Sequence, residues 1–265
     1  MDKVPLFYEI FLYVFMFIFG AGVGSFLCCQ ARRLRRREEK KKPLGRRSVC
    51  PHCGKKLKWF ENLPLLSWLF QRGRCRNCHR KIGAAEFLSE LLTALAFVIL
   101  AITLKTDYLS LFITTIFTSS LIFLAIYDGL YGELPQAVLT FSIICAIIIS
   151  ALRSWAIFSN SQFSWQPVVG LILSAAILGG LYLLLFLLSK GKWVGDGDWL
   201  LGLAIGIAMG NPFAALIALF TANLSACVVM APSAIKHHSH QIYFGPFLVF
   251  GYLVGTFAIS FFVAS

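Results

Sequence analysis

Charge is scarce over most of this chain, and carboxylates are the scarcest of all. The 265 residues hold 12 Asp and Glu against 24 Lys and Arg, for a net charge of +12. Charged residues make up 14% and apolar residues 58%, which excludes an ordinary soluble domain, where about a quarter of residues are charged. Long uncharged runs place most of the chain in a bilayer. The first apolar stretch also lacks a basic leading region and a small-residue cleavage site. That argues against removal as a signal peptide, so it is expected to remain as an anchor. There is no internal repeat, and no low-complexity tract beyond the short basic run over 32–42.

What is present is an all-α polytopic pattern. Apolar stretches at 5–29, 86–104, 108–127, 134–152, 165–189 and 242–263 are each near or above the roughly 18 residues that a spanning helix needs. A seventh, 199–231, is interrupted at Gly210, Asn211 and Pro212 and reads as two short passes, giving eight in all. Between residues 30 and 85 stand 18 of the 24 basic residues, which marks that segment as cytoplasmic and the amino terminus as external. Eight passes then return Lys190, Lys192 and Lys236 to the cytoplasm and leave Lys105 and Arg153 outside. The expected organisation is a first transmembrane helix in 1–29, a basic cytoplasmic insert at 30–85 and a membrane core at 86–265.

The insert holds Cys50-Pro-His-Cys53 and Cys75-Arg-Asn-Cys78. Two C-x-x-C knuckles at this separation suit four-thiolate coordination of zinc, because each pair chelates from one tight turn. Gly54 and Gly73 fit such turns. Disulfides are the alternative, but they are rare in the reducing cytosol. A closed four-sulfur site has no vacant position, so its role is expected to be structural. His52 and His79 read as solvent-facing loop residues. Cys28, Cys29, Cys145 and Cys227 fall in apolar stretches and behave as small hydrophobes.

From residue 108 onward the only acids are Asp128, Glu133, Asp196 and Asp198. Acids beside apolar helices are costly and usually serve a cavity or a partner. Asp128 ends Ile126-Tyr127-Asp128, and Asp198 ends Gly195-Asp196-Gly197-Asp198. Two aspartates brought together can divide one proton between them, one acting as base on water while the other protonates a carbonyl. The flanking glycines would permit unusual backbone angles and close approach of a substrate backbone. A structural reading makes Asp198 the N-cap of a helix starting at Trp199, and a transporter could use the same acids for a proton relay.

These residues resemble those of the bacterial prepilin peptidases, or type IV leader peptidases, a membrane aspartyl protease family. The resemblance rests on Gly24-Ser25-Phe26-Leu27, on the four-cysteine insert with Glu61-Asn62-Leu63-Pro64 and Gly73-Arg74-Cys75-Arg76, and on Asp128 six residues before Leu134-Pro135. Gly-x-Gly-Asp ending at Asp198 and Phe244-Gly245-Pro246-Phe247-Leu248 complete it. Gln136 and Leu200 depart from the family pattern, at positions that bear on substrate contacts. Presenilin-like proteases share the aspartate motifs but lack the cysteine insert.

The resemblance implies that Asp128 and Asp198 are catalytic, and that the substrates are type IV prepilin or pseudopilin precursors. Their basic leader would be cut after a glycine at the cytoplasmic face of the inner membrane. It also implies N-methylation of the new amino terminus from S-adenosyl-L-methionine, with Glu61 the candidate residue near that site. The sequence carries no separate nucleotide fingerprint. Gly20, Gly22 and Gly24 lie in a membrane helix, where small residues serve helix packing. The Arg and Lys run of the insert is expected to rest on anionic lipid, each charge contributing on the order of 1 kcal/mol, rather than on nucleic acid.

Overall fold

The computed structural model describes residues 6–41, 49–50, 53–81, 83–104, 107–160, 165–191, 194–236 and 243–264. His52, Lys42, Lys105 and Lys192 lie outside the described residues. Among the described residues ten α-helices follow one another: α1 (Leu6–Glu38), α2 (Leu66–Phe70), α3 (Ala84–Thr103), α4 (Tyr108–Tyr131), α5 (Gln136–Asn160), α6 (Gln166–Ala175), α7 (Leu181–Ser189), α8 (Asp196–Met209), α9 (Pro212–Lys236) and α10 (Gly245–Ala264). A π-helical turn, Ala176–Gly180, joins α6 and α7 into one span, and a 3-10 turn covers Trp59–Asn62. Among the described residues only two isolated β-bridges interrupt this all-α pattern.

Among the described residues, six helices are long and apolar enough to cross a membrane: α1, α3, α4, α5, the α6–α7 span and α9. The chain is a multi-pass membrane protein. α8 and α10 complete the eight apolar segments, and α8 and α9 separate at Gly210 and Asn211, with Pro212 the first residue of α9. Pro is suited to that place, since a first helical residue needs no N–H partner. α1 does not stop with its apolar stretch at residue 29 but continues to Glu38. Arg35 to Arg37 occupy its last turn, where cations favour the helix dipole.

The chain divides into two compact units, Met1–Ala101 and Ile102–Ser265. In the first, α1 lies against α3. A methyl at Gly20 would meet Ala94 Cα at 2.8 Å, and one at Gly24 would meet Glu90 Cα at 2.9 Å. Absent side chains therefore let the two backbones approach, and van der Waals contact then holds them, as lipid supplies no hydrophobic drive. Gly22 has open space around it. The insert joins α3 through Trp68, whose ring centroid lies 4.7 Å from that of Phe87, and through the Leu65 amide, which donates to Glu90 Oε2 at 2.6 Å.

In the second unit α4, α5, α8, α9 and α10 pack together, with Phe117, Leu121, Leu124, Leu139, Leu201 and Ile205 fully buried. Small residues let α8 in. A methyl on Gly202 would sit 2.9 Å from the Leu178 carbonyl oxygen, and Ser174 Oγ donates to the Gly206 carbonyl at 2.8 Å. Buried hydroxyls pair between helices, Ser120 with Ser142 at 2.8 Å and Thr118 with Tyr252 at 3.3 Å.

Candidate functional site

The first unit carries the four cysteines. The Sγ atoms of Cys50, Cys53, Cys75 and Cys78 all lie within 4.8 Å of one another, and Cys50 and Cys78 are 3.9 Å apart. Four sulfurs each about 2.3 Å from a tetrahedral zinc would be separated by about 3.8 Å, so the cluster can hold such an ion. None of these cysteines is in a disulfide.

Two matching turns build the cluster. Cys50 N–H donates to the Lys55 carbonyl and Gly54 N–H to the Cys50 carbonyl, both at 2.9 Å. In the second knuckle Cys75 N–H donates to Arg80 at 3.0 Å and His79 N–H to Cys75 at 2.9 Å. The left-handed residue of the first turn is Gly54, φ 68°, as expected, but its counterpart in the second is His79, φ 55°, and not Gly73. Gly73 precedes the knuckle and lies under Trp68, where a methyl would come within 2.9 Å of the indole. His79 is exposed.

Amides of Cys78 and Asn77 pull the Cys75 thiol down to about 6. Cys78 stands at about 11, because the Arg80 amide that would lower it is outweighed by burial and the neighbouring thiols. Cys75 is thus a thiolate at neutral pH, while Cys78 must release a proton to bind a metal. Affinity for a cation therefore rises with pH, as protons compete with the metal for the thiolates.

The acids of interest all lie in the second unit. Asp128 occupies the last turns of α4, 6% exposed, and Asp198 the first turn of α8, 7% exposed. Gly132, φ 72°, ends α4 by donating its N–H to the Asp128 carbonyl at 2.7 Å. The two carboxyl groups lie within range of each other's charge. By contrast Glu133 and Asp196 are exposed, and Asp196 Oδ1 accepts from Trp199 Nε1 at 3.4 Å.

Asp198 is not an N-cap. The helix begins two residues earlier, at Asp196, and Asp198 reaches back to accept the Gly195 N–H at 3.0 Å. An acid there also meets the positive end of the helix dipole. Nor do the motif's glycines supply unusual angles. Gly195 is extended at φ −70°, and Gly197 is helical with no positive φ. Gly197 is bare because Leu134 lies on it, where a methyl would be 2.8 Å from Leu134 Cβ. That contact joins the Leu134-Pro135 turn after α4 to the turn that carries Asp198.

Two residues with roles here were not assigned any from sequence. Gly245, inside the Phe244-Gly245-Pro246 motif, donates its N–H to Asp128 Oδ2 at 2.8 Å. A methyl there would stand 2.9 Å from the same oxygen. Its signal was the motif itself, which carried no assigned partner. Tyr182, 2% exposed, accepts a hydrogen bond from Asn223 Nδ2 at 3.0 Å, packs against Phe244 with ring centroids 5.3 Å apart and the planes tilted by 59°, and lies within range of the Asp198 charge. An apolar helix with one tyrosine gave no sequence signal for it.

Glu61, in the 3-10 turn of the first unit, accepts the Lys58 N–H at 2.8 Å and faces a cavity of about 210 Å³.

The family described as Bacterial Peptidase A24 N-terminal domain matches residues 18–104, from within α1 to the end of α3. The chain is 34% identical over 201 residues to a "Prepilin leader peptidase/N-methyltransferase" of Dichelobacter nodosus, covering 76% of this chain and 67% of the relative. It is 31% identical over 264 residues to a protein of that name from Bacillus subtilis, covering 94% and 96%. A third, from Aeromonas hydrophila, is 31% identical over 204 residues, covering 76% and 68%. No solved structure matches.

Proposed function

The chain belongs to the prepilin leader peptidase/N-methyltransferase family, and from that premise we propose that it removes the basic leader of type IV prepilin-like precursors and methylates the amino terminus so exposed. The observation that carries the first activity is the placement of Asp128 and Asp198. They are buried, within range of each other's charge, and held by backbone amides of separate turns. Like charges in such a site disfavour double ionisation, so one group is an acid and the other a base. The carboxylate takes a proton from water as its oxygen adds to the peptide carbonyl, and the carboxylic acid gives its proton to the carbonyl oxygen. Collapse of the tetrahedral adduct breaks the C–N bond and returns a proton to the leaving amine. Neither a metal nor a covalent bond between enzyme and substrate enters these steps.

The cut falls after glycine at the cytoplasmic face of the inner membrane, with the amino terminus of this chain outside and its insert inside. In this reading the four-cysteine centre holds a structural zinc in the insert at 30–85, 1–29 anchors the chain, and 86–265 is the membrane core. S-adenosyl-L-methionine supplies a methyl group on a sulfonium sulfur that leaves as a neutral thioether. The receiving amine must be unprotonated, and a nearby carboxylate such as Glu61 suits the task of taking its proton.

The test co-expresses a prepilin with the wild type, Asp128→Asn or Asp198→Asn and maps the product's amino terminus. The wild type should yield a product that begins after the leader glycine. Each isosteric variant should slow cleavage by about 10²-fold or more, the usual scale for loss of a proton-transfer group. Full processing by both variants would sink the two-aspartate mechanism.

A further inference from the structure

The short helix α2 of the insert turns an apolar face outward. Leu66, Leu69 and Phe70 are 50%, 61% and 75% exposed, and their i, i+3 and i+4 spacing puts them on one side of the helix. The other side is fixed to α3. Trp68 packs on Phe87, and the Leu65 N–H donates to Glu90 Oε2, so α2 stands level with the first two turns of that helix.

This level is a membrane boundary. The 20 residues of α3 reach about 30 Å at 1.5 Å per residue, roughly the thickness of the hydrocarbon layer. Its first turns therefore lie where the layer ends on the insert's side. The charges of α1 mark the same height independently. No Lys or Arg precedes Arg32 in that helix, and Arg32 pairs at 2.6 Å with Glu86, in the first turn of α3. An apolar face held at this height meets acyl chains rather than water, as it does in helices that lie in the interface.

Basic residues border that face. Phe70 shares an open hollow with Arg72, Arg74, Arg76 and His79. The three arginines are exposed, and residues 62–85 contain no Asp or Glu. None of the nearest acids in sequence, Glu61, Glu86 or Glu90, lines the hollow. Guanidinium groups suit phosphate, since their forked N–H donors match its oxygens. The strip is also shaped by the second cysteine knuckle, across which Arg74 and Lys81 form a β-bridge.

We propose that the insert docks on the bilayer that its own helices cross, with Leu66, Leu69 and Phe70 among the acyl chains and Arg72, Arg74 and Arg76 on the phosphates of anionic phospholipids. This surface lies beyond the basic run over 32–42 and adds an inserted apolar face to it. A second copy of the chain would bring like charges together here, and a nucleic acid would leave the apolar face uncovered.

Hydrogen exchange of the full-length protein tests the charged half, in liposomes of phosphatidylcholine alone or mixed equally with phosphatidylglycerol. Each Lys or Arg at an anionic surface shifts occupancy by about fivefold, so amide exchange across residues 66–76 is expected to be about tenfold slower or more in the mixed membrane. Equal exchange of the wild type in the two membranes overturns the anionic-lipid site. The triple variant Arg72→Gln, Arg74→Gln, Arg76→Gln, checked for helical circular dichroism, should lose the difference, and its persistence overturns the role of the arginines. The apolar half is tested by p-benzoylphenylalanine in place of Phe70, irradiated in the mixed liposomes. A phospholipid adduct is the expected product. A cross-linked dimer overturns the proposal, as does the absence of a lipid adduct when the same photoprobe in place of Phe112, an exposed residue of α4, gives one.

Discussion

At Gly197 the reason for a motif glycine is a neighbour and not a backbone angle. Leu134 presses on it with Cβ as well as Cδ1, so the contact cannot be relieved by rotating the far end of the leucine. Adding a methyl should therefore push the turn that bears Asp198 away from the turn after Asp128, at a cost of about 1–3 kcal/mol for overpacking. Gly197→Ala is expected to slow leader cleavage at least tenfold, and Leu134→Ala in the same chain should restore part of the rate by vacating the space. A double-mutant cycle on cleavage rates measures this, and strict additivity of the two changes would refute the steric account. The acids were legible in the sequence because so few exist after residue 107. Gly245 and Tyr182 were not, since a backbone N–H leaves no mark in a sequence and a lone tyrosine in an apolar helix has no period to betray it.

Among the apolar helices of the second unit, α8 is short for a membrane span. Its 14 residues span about 21 Å at 1.5 Å per residue, short of the roughly 30 Å hydrocarbon layer. It is nonetheless buried along Leu201, Ala204 and Ile205. Its ends must then be satisfied by protein. Gly210, φ 57°, closes it, and Arg153 of α5 donates to the Met209 carbonyl. Asn211 Oδ1 starts α9 by accepting the Phe213 N–H at 2.9 Å. Arg153 thus fixes the far end of the helix that carries Asp198, with a charged hydrogen bond worth about 1.5–3 kcal/mol. Arg153→Gln should lower the unfolding temperature in micelles, while Arg153→Lys, which keeps the cation, should lower it less. Equal stability of all three would remove this role. The break at Gly210 was legible from Gly, Asn and Pro together, whereas the π turn at Ala176–Gly180 was not. It sets Gly179 against Leu203, with a methyl position 2.8 Å from Leu203 Cα, and no local residue type encodes that widening.

Over the whole molecule, the two candidate chemistries fall in separate compact units. The cysteine cluster, Glu61 and the cavity lie in the first, and both aspartates with Gly245, Tyr182 and Leu134 lie in the second. Removing the metal with a thiol-competent chelator is accordingly expected to abolish methylation while cleavage of a prepilin falls by no more than a few fold. Parallel assays of one chelated preparation check it, and loss of both activities together would show that the units depend on one another. The sequence by itself determined the membrane class, the four cysteines and the two acidic turns, because apolar length, C-x-x-C spacing and the rarity of carboxylates are properties of the chain as written. Only the tertiary structure decided that Gly245 holds Asp128, and that Trp68 and Glu86 face one cavity. Those depend on which distant backbones come within 3 Å, and in a bilayer that is settled by the fit of small residues between helices, which no local pattern records.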